Sequence, residues 1–233
     1  MNRPTVAYGT FCCPKDLTRA LDNLHAHRDS HNFAFDENFL VYQRCRPDGR
    51  RPMEFECLQI RDSDGSEEYA DILNSFGIQW PNPVLDELTH GWSAPHFWAH
   101  HMVNHLHVLQ HANSDYIVFA DADCHMKDQP AGQSWIDRGI EILESDPKAF
   151  LVSPCDGGPE RYESIMSQQM FLINRKKFLE MEFIPWDGKF IEGGPFQEYY
   201  GLLEGWIARY MAKQNLFRYV LGPTFRYWHK EWH

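Results

Sequence analysis

Asp121 and Asp123 are the residues of this sequence whose type and spacing point most directly to chemistry. They stand one alanine apart behind Tyr116-Ile117-Val118-Phe119-Ala120, an apolar run without helical periodicity. Such a run reads as a buried strand of a parallel sheet. Acids just past the C-terminal end of that strand sit where open α/β sheets hold their ligands. If the chain stays extended, alternation puts both carboxylates on one side. Two like charges that close repel, so a hard divalent cation that keeps open positions for phosphate oxygens is the natural occupant.

The elements that must position this pair alternate along the chain. Val6 to Phe11 reads as a first strand. Leu17, Ala20, Leu21 and Leu24 recur at helical spacing and predict a helix over 14–27. Phe39–Tyr42 and Phe55–Ile60 are short strands, followed by the acidic loop Asp62-Ser63-Asp64-Gly65-Ser66 and a helix through Tyr69, Ile72, Leu73 and Phe76. A long helix carrying Trp98, Met102, Leu106 and Leu109 leads into the strand before Asp121. Beyond it come a helix through Ile136, Ile140 and Leu143, strands at Phe150–Val152 and Gln169–Ile173, a helix over 196–213 and a strand over 217–221. Strand and helix in turn predict an α/β fold with a mostly parallel central sheet flanked by helices. The absence of repeats and linkers predicts one domain over 1–233.

Composition narrows the function classes. A chain of 233 residues with 43% apolar and 15% aromatic content fills a sizeable core. Its net charge of −11 argues against a nucleic-acid partner, which needs clustered Lys and Arg. The same charge hinders any phosphorylated substrate unless a metal intervenes. No run approaches the ~20 apolar residues of a membrane span, and the N-terminus lacks a signal-peptide core. Six cysteines without a C-x-x-C pair read as reduced thiols, and the expected location is cytoplasmic.

Several segments, in order, resemble a family-2-like GT-A glycosyltransferase, whose fold is Rossmann-like. Asp62-Ser63-Asp64-Gly65-Ser66 is similar to the Asp-Asp-Gly-Ser loop that contacts the base. Gly91-Trp92-Ser93-Ala94-Pro95-His96 resembles the Gly-x-Ser-x-Ala-Arg-Asn segment, with His96 in place of the usual Arg. Asp121-Ala122-Asp123 resembles the Asp-x-Asp motif. Glu204-Gly205-Trp206 with Arg209 is similar to the Glu-Asp-x-x-x-x-x-Arg acceptor helix, and Tyr227-Trp228-His229 to a late metal-ligating histidine. The resemblance implies Mn²⁺ or Mg²⁺ on Asp121, Asp123 and His229, a nucleotide-sugar donor with UDP favoured, and a carbohydrate acceptor. Asp121, with Ala122 beside it, would meet the ribose or the metal's waters. Asp62, Asp64 and His96 would contact the donor, and Tyr8, Thr10 and Phe11 would wall the base. Gly205 falls where inverting members carry their aspartate base. Either Glu204 or Glu198 substitutes for it, or the mechanism is retaining.

Bland readings stand beside these. Asp121 and Asp123 could form a solvated acidic loop, Asp62 and Asp64 could cap a helix, and Tyr8, Thr10 and Phe11 could simply pack. Glu204 could be a charge on a solvated face. Three rival functions follow: a catalytically silent nucleotide- or sugar-binding module, a nucleotidyltransferase, and a metal hydrolase built on the histidines of the helix around 96–111. The second lacks the Gly-rich loop it needs after the first strand. The third lacks a His-Glu-x-x-His motif.

Overall fold

The computed structural model describes residues 3–12, 17–43, 52–60, 67–78, 95–155, 157–164, 166, 169–181 and 203–229. The elements are β1 (Val6–Cys12), α1 (Leu17–Asp29), β2 (Glu37–Gln43), β3 (Glu56–Ile60), α2 (Glu67–Ser75), α3 (Pro95–His111), β4 (Tyr116–Ala120) and β5 (Cys124–Asp128). They continue with α4 (Trp135–Ser145), β6 (Ala149–Ser153), β7 (Arg161–Glu163), β8 (Met170–Asn174), α5 (Arg175–Leu179), α6 (Leu203–Gln214), β9 (Phe217–Val220) and β10 (Arg226–His229).

The main sheet has eight strands in the order β3-β2-β1-β4-β8-β6-β9-β7, and β5 and β10 form a separate two-stranded ladder. β3, β2, β1 and β4 pair in parallel, as do β6 and β9; β8 runs antiparallel between β4 and β6, and β7 is antiparallel to β9. The chain builds outward from β1 to β3 and then returns to place β4 on the other side of β1. Strand order therefore reverses between β1 and β4. A crevice opens at such a switch point, at the carboxyl ends of the strands.

The central strands are buried on both faces, which is why they read as unbroken apolar runs. In β4, Ile117 and Phe119 enter the core shared with α2, α3 and α6, while Tyr116, Val118 and Ala120 enter the core shared with α1 and α4. Alternation along β1 divides Ala7 and Phe11 from Val6, Tyr8 and Cys12 in the same way. Helix boundaries follow local chemistry. Pro95 opens α3, where a missing N–H costs nothing, and the Ser134 hydroxyl caps α4 by accepting from the Ile136 N–H at 3.2 Å. Gly139 lets α4 settle on the sheet, because a Cβ there would lie 2.7 Å from Leu172 Cδ2.

Acidic side chains set the β1–β4 register. Asp115 Oδ2 accepts from the Thr5 N–H and Oγ1, each at 2.9 Å. Glu37 Oε2 accepts from the N–H groups of Asn113 (2.9 Å) and Ser114 (2.7 Å), fastening the α3–β4 connection to β2. The polar lead-in to the strand is thus a clamp. Sequence periodicity placed the described helices other than α5 and the main-sheet strands other than β7, but β5, β7 and β10 carried no strand signal.

Candidate metal and donor site

The site lies on the turn that leaves β4. The Asp121 N–H donates to Gln169 O at 2.8 Å, and the Cys124 N–H donates back to Asp121 O at 2.9 Å. Residues 121–124 are therefore a hydrogen-bonded β-turn. This corrects the expectation of an extended Asp-x-Asp: the two acids are brought together by chain reversal instead of by alternation. Ligand atoms of Asp121, Asp123 and Cys124 lie within 4.8 Å of one another, and among the described residues this is the one such grouping of three or more His, Cys, Asp or Glu. Histidines of α3 form no comparable group among the described residues.

Like charges surround the Asp121 carboxyl. Burial, then the neighbouring Asp123 and Glu204, hold the Asp121 carboxyl well above the usual carboxylate range. A divalent cation relieves such a cluster, and two carboxylates suit a hard ion. The Cys124 thiol is a poor ligand for that ion. Burial and the two aspartates push its pKa up, and it donates to Asp123 Oδ1 at 3.8 Å.

The other expected residues fall into three groups. Glu204 lies in the first turn of α6, close enough to act on Asp121. His229 stands opposite Cys124 in the β5–β10 ladder, so the last described strand returns to the acidic turn. Ala122 is half-buried between the two acids. His96 is the second residue of α3. Asp62, Asp64 and Glu198 lie outside the described residues.

Tyr8, Thr10 and Phe11 face inward. Tyr8 is fully buried, packs around 5–6 Å from the rings of Phe35, His31 and His27, and bonds through its hydroxyl to His27 Nδ1. It has no surface left for a base, and the wall expectation is corrected: residue 8 lies mid-strand, toward α1. Thr10 is also buried, and its Oγ1 donates to Ala120 O at 2.8 Å, so it braces the end of β4. Phe11 stacks on Phe119 and lies 4.5 Å from the His105 ring.

Sequence reasoning missed the residues that hold the turn from behind. His27 is buried on the α1 face that also carries Ala20 and Leu24. That apolar stripe, continued by one more helical step, was the available signal. Its Nδ1 meets the Tyr8 hydroxyl and its Nε2 meets Cys124 O. His31 is fully buried; its Nδ1 accepts from Trp135 Nε1 at 2.9 Å and its Nε2 has no partner. Gln169, besides accepting from Asp121, accepts from the Tyr227 hydroxyl through Oε1 at 2.9 Å.

These histidines make the fold acid-sensitive. Burial, then His125, lowers the pKa of His27 to about 3, and burial, then His27 and His125, lowers that of His31 well below its ordinary value. Below pH ~6.5 the unfolded chain takes up protons that the folded chain refuses, so stability is complete above that pH and is lost as pH falls toward the folded pKa. Each histidine costs about 1.4 kcal/mol per pH unit within that window. In urea unfolding the pair is expected to make the chain less stable at pH 5 than at pH 7, with His31→Gln flattening the dependence. A pH dependence that is unchanged in His31→Gln would refute this account.

No family model matches the sequence, and a search of curated proteins finds no match. Among solved structures the chain is similar to the mannosyltransferase PcManGT from Pyrobaculum calidifontis in complex with GDP-Man and Mn²⁺. The TM-score is 0.51 at 13% identity, over 96% of this chain and 56% of that one. Residues 1–349 of S. aureus TarS align at a TM-score of 0.49 and 11% identity, over 96% of this chain and 59% of that one. The chain spans somewhat more than half the length of either. The likeness to PcManGT establishes the fold as α/β of the GT-A type, with a central, mostly parallel sheet flanked by helices.

Proposed function

We propose that this chain is a single-domain, metal-dependent glycosyltransferase that moves a sugar from a nucleotide-sugar donor to a hydroxyl of a carbohydrate or other acceptor. The observation that carries the reading is the convergence of Asp121, Asp123 and Glu204 at the switch point between β1 and β4. Asp121 and Asp123 would hold Mn²⁺ or Mg²⁺, with His229, opposite Cys124 in the ladder, as the proposed further ligand. Bound there, the ion supplies Lewis-acid stabilisation of the negative charge that develops on the leaving diphosphate.

The chain's own residues do the rest. An acceptor oxygen forms a bond to the anomeric carbon as the bond from that carbon to the nucleoside diphosphate breaks. The electron pair leaves on the diphosphate, and Glu204 takes the acceptor's proton as general base. Glu198 is the alternative base. Asp62, Asp64 and His96 are proposed donor contacts, with Phe11 and Ala122 at the strand ends. Family resemblance favours UDP as the donor nucleotide. The GDP-Man bound by PcManGT puts GDP beside it.

Thermal unfolding with UDP, GDP, CDP and dTDP, each with and without Mn²⁺, tests the reading. A nucleotide at about 100 times its Kd adds ~2.7 kcal/mol, a rise of about 5–10 °C for a domain of this size. The rise should require Mn²⁺ and vanish in Asp123→Ala. No shift with any nucleotide would overturn the reading. A shift without turnover of any sugar nucleotide would mark a silent binding module.

A further inference from the structure

The turn that carries the acids is held by residues the proposed chemistry does not use. Cys124 is fixed at three points: its N–H donates to Asp121 O, its thiol touches Asp123 Oδ1, and its carbonyl meets His27 Nε2. A carbonyl can only accept, so His27 Nε2 carries the proton; Nδ1 is then bare and accepts from the Tyr8 hydroxyl. A single tautomer satisfies both contacts. His27 is 2% exposed and Tyr8 0%, and water does not compete for either bond.

A polar ring in the apolar stripe of α1 is a costly choice, since burial of an imidazole is tolerated only where its nitrogens are paired. A leucine at 27 would pack against the same neighbours but leave the Cys124 carbonyl without this donor. We propose that His27 is a positioning residue for the candidate metal turn: acting through Cys124, it fixes where the Asp123 carboxylate stands, and Tyr8 fixes the His27 tautomer. This rests on the metal reading given above. Partners that orient ligands from behind in this way change metal affinity by about 10–100-fold when removed.

The test is Mn²⁺ affinity of the full chain, from the free-ion paramagnetic resonance signal, with Mn²⁺ alone and with Mn²⁺ plus UDP or GDP. Urea unfolding of each variant is measured alongside. His27→Phe keeps a ring but loses both bonds, and is expected to weaken Mn²⁺ binding about 10-fold or more. His27→Gln, whose amide can donate at one end and accept at the other, should recover most of that affinity. A role in stability alone would lower the urea midpoint of His27→Phe and leave its Mn²⁺ affinity within two-fold of wild type, which overturns the proposal. Should His27→Phe fail to fold, Tyr8→Phe decides: the loss of one hydroxyl should weaken Mn²⁺ in the same direction, and unchanged affinity overturns the proposal. Asp123→Ala separates the two ideas. If it binds Mn²⁺ like wild type, the metal reading itself falls and takes this inference with it. If it loses Mn²⁺ while His27→Phe does not, only the inference falls.

Discussion

Asp121→Asn is expected to make the metal-free chain more stable and, in the same stroke, unable to respond to Mn²⁺. The Asp121 carboxyl is raised by burial and by the charges of Asp123 and Glu204, so its folded pKa lies above its unfolded one. Between those values the folded chain holds a proton that the unfolded chain has released, and stability drops as pH climbs through that window. The cost is complete once pH exceeds the folded pKa. Asparagine keeps the shape and the Asp121 N–H bond to Gln169 O while removing the charge. Stabilising substitutions of this kind give about 0.5–2 kcal/mol. Urea midpoints at pH 7.5 in EDTA should therefore rise in the variant, and the advantage should shrink toward pH 3.5, where Asp121 nears protonation in both states. With Mn²⁺ and nucleotide added, the order should reverse. A variant less stable than wild type in EDTA at neutral pH would refute the view that the acids repel without a compensating cation.

That trade explains why the site was legible from sequence where other parts were not. An unbroken apolar strand ending in two acids conflicts with itself energetically, and a conflict between local chemistry and burial marks a functional position. The buried strand followed from the same pattern; the strand order around it, with antiparallel β8 beside it, did not. The ladder of β5 and β10 did not. Cys124-His125-Met126-Lys127-Asp128 and Arg226-Tyr227-Trp228-His229 are short and mixed in polarity, and their pairing depends on partners about a hundred residues apart. The turn at 121–124 was hidden for a different reason: Asp-Ala-Asp-Cys carries no glycine or proline to announce it, and its closure depends on a backbone bond from Cys124 to Asp121. Tyr8 misled because an aromatic in a first strand is read by type. Its fate was set by which face of β1 position 8 occupies, and that face belongs to His27 and α1.

Glu204→Gln is the substitution expected to separate chemistry from binding. Glu204 shares its electrostatic surroundings with Asp121 yet sits on a different element, the first turn of α6. In the proposed mechanism a general base on a helix, close to the acidic turn at a strand end, would bring acceptor and donor together. Removing a general base lowers kcat by about 10²–10⁴, while glutamine preserves volume and much of the hydrogen bonding. The Mn²⁺- and nucleotide-dependent rise in unfolding temperature should persist, because the proposed ligands Asp121, Asp123 and His229 are unchanged. If kcat holds and binding is also intact, the proton goes elsewhere, and Glu198→Gln becomes the informative variant. If the nucleotide-dependent rise disappears with activity, Glu204 belongs to the metal cluster and is no base. The anomeric configuration of the product, read by proton NMR of the wild type, fixes the remaining choice. Inversion requires one displacement with a base at the acceptor, and Glu204 fits that role. Retention would need a route through the opposite face of the sugar, and would leave Glu204→Gln with a smaller effect on the transfer step.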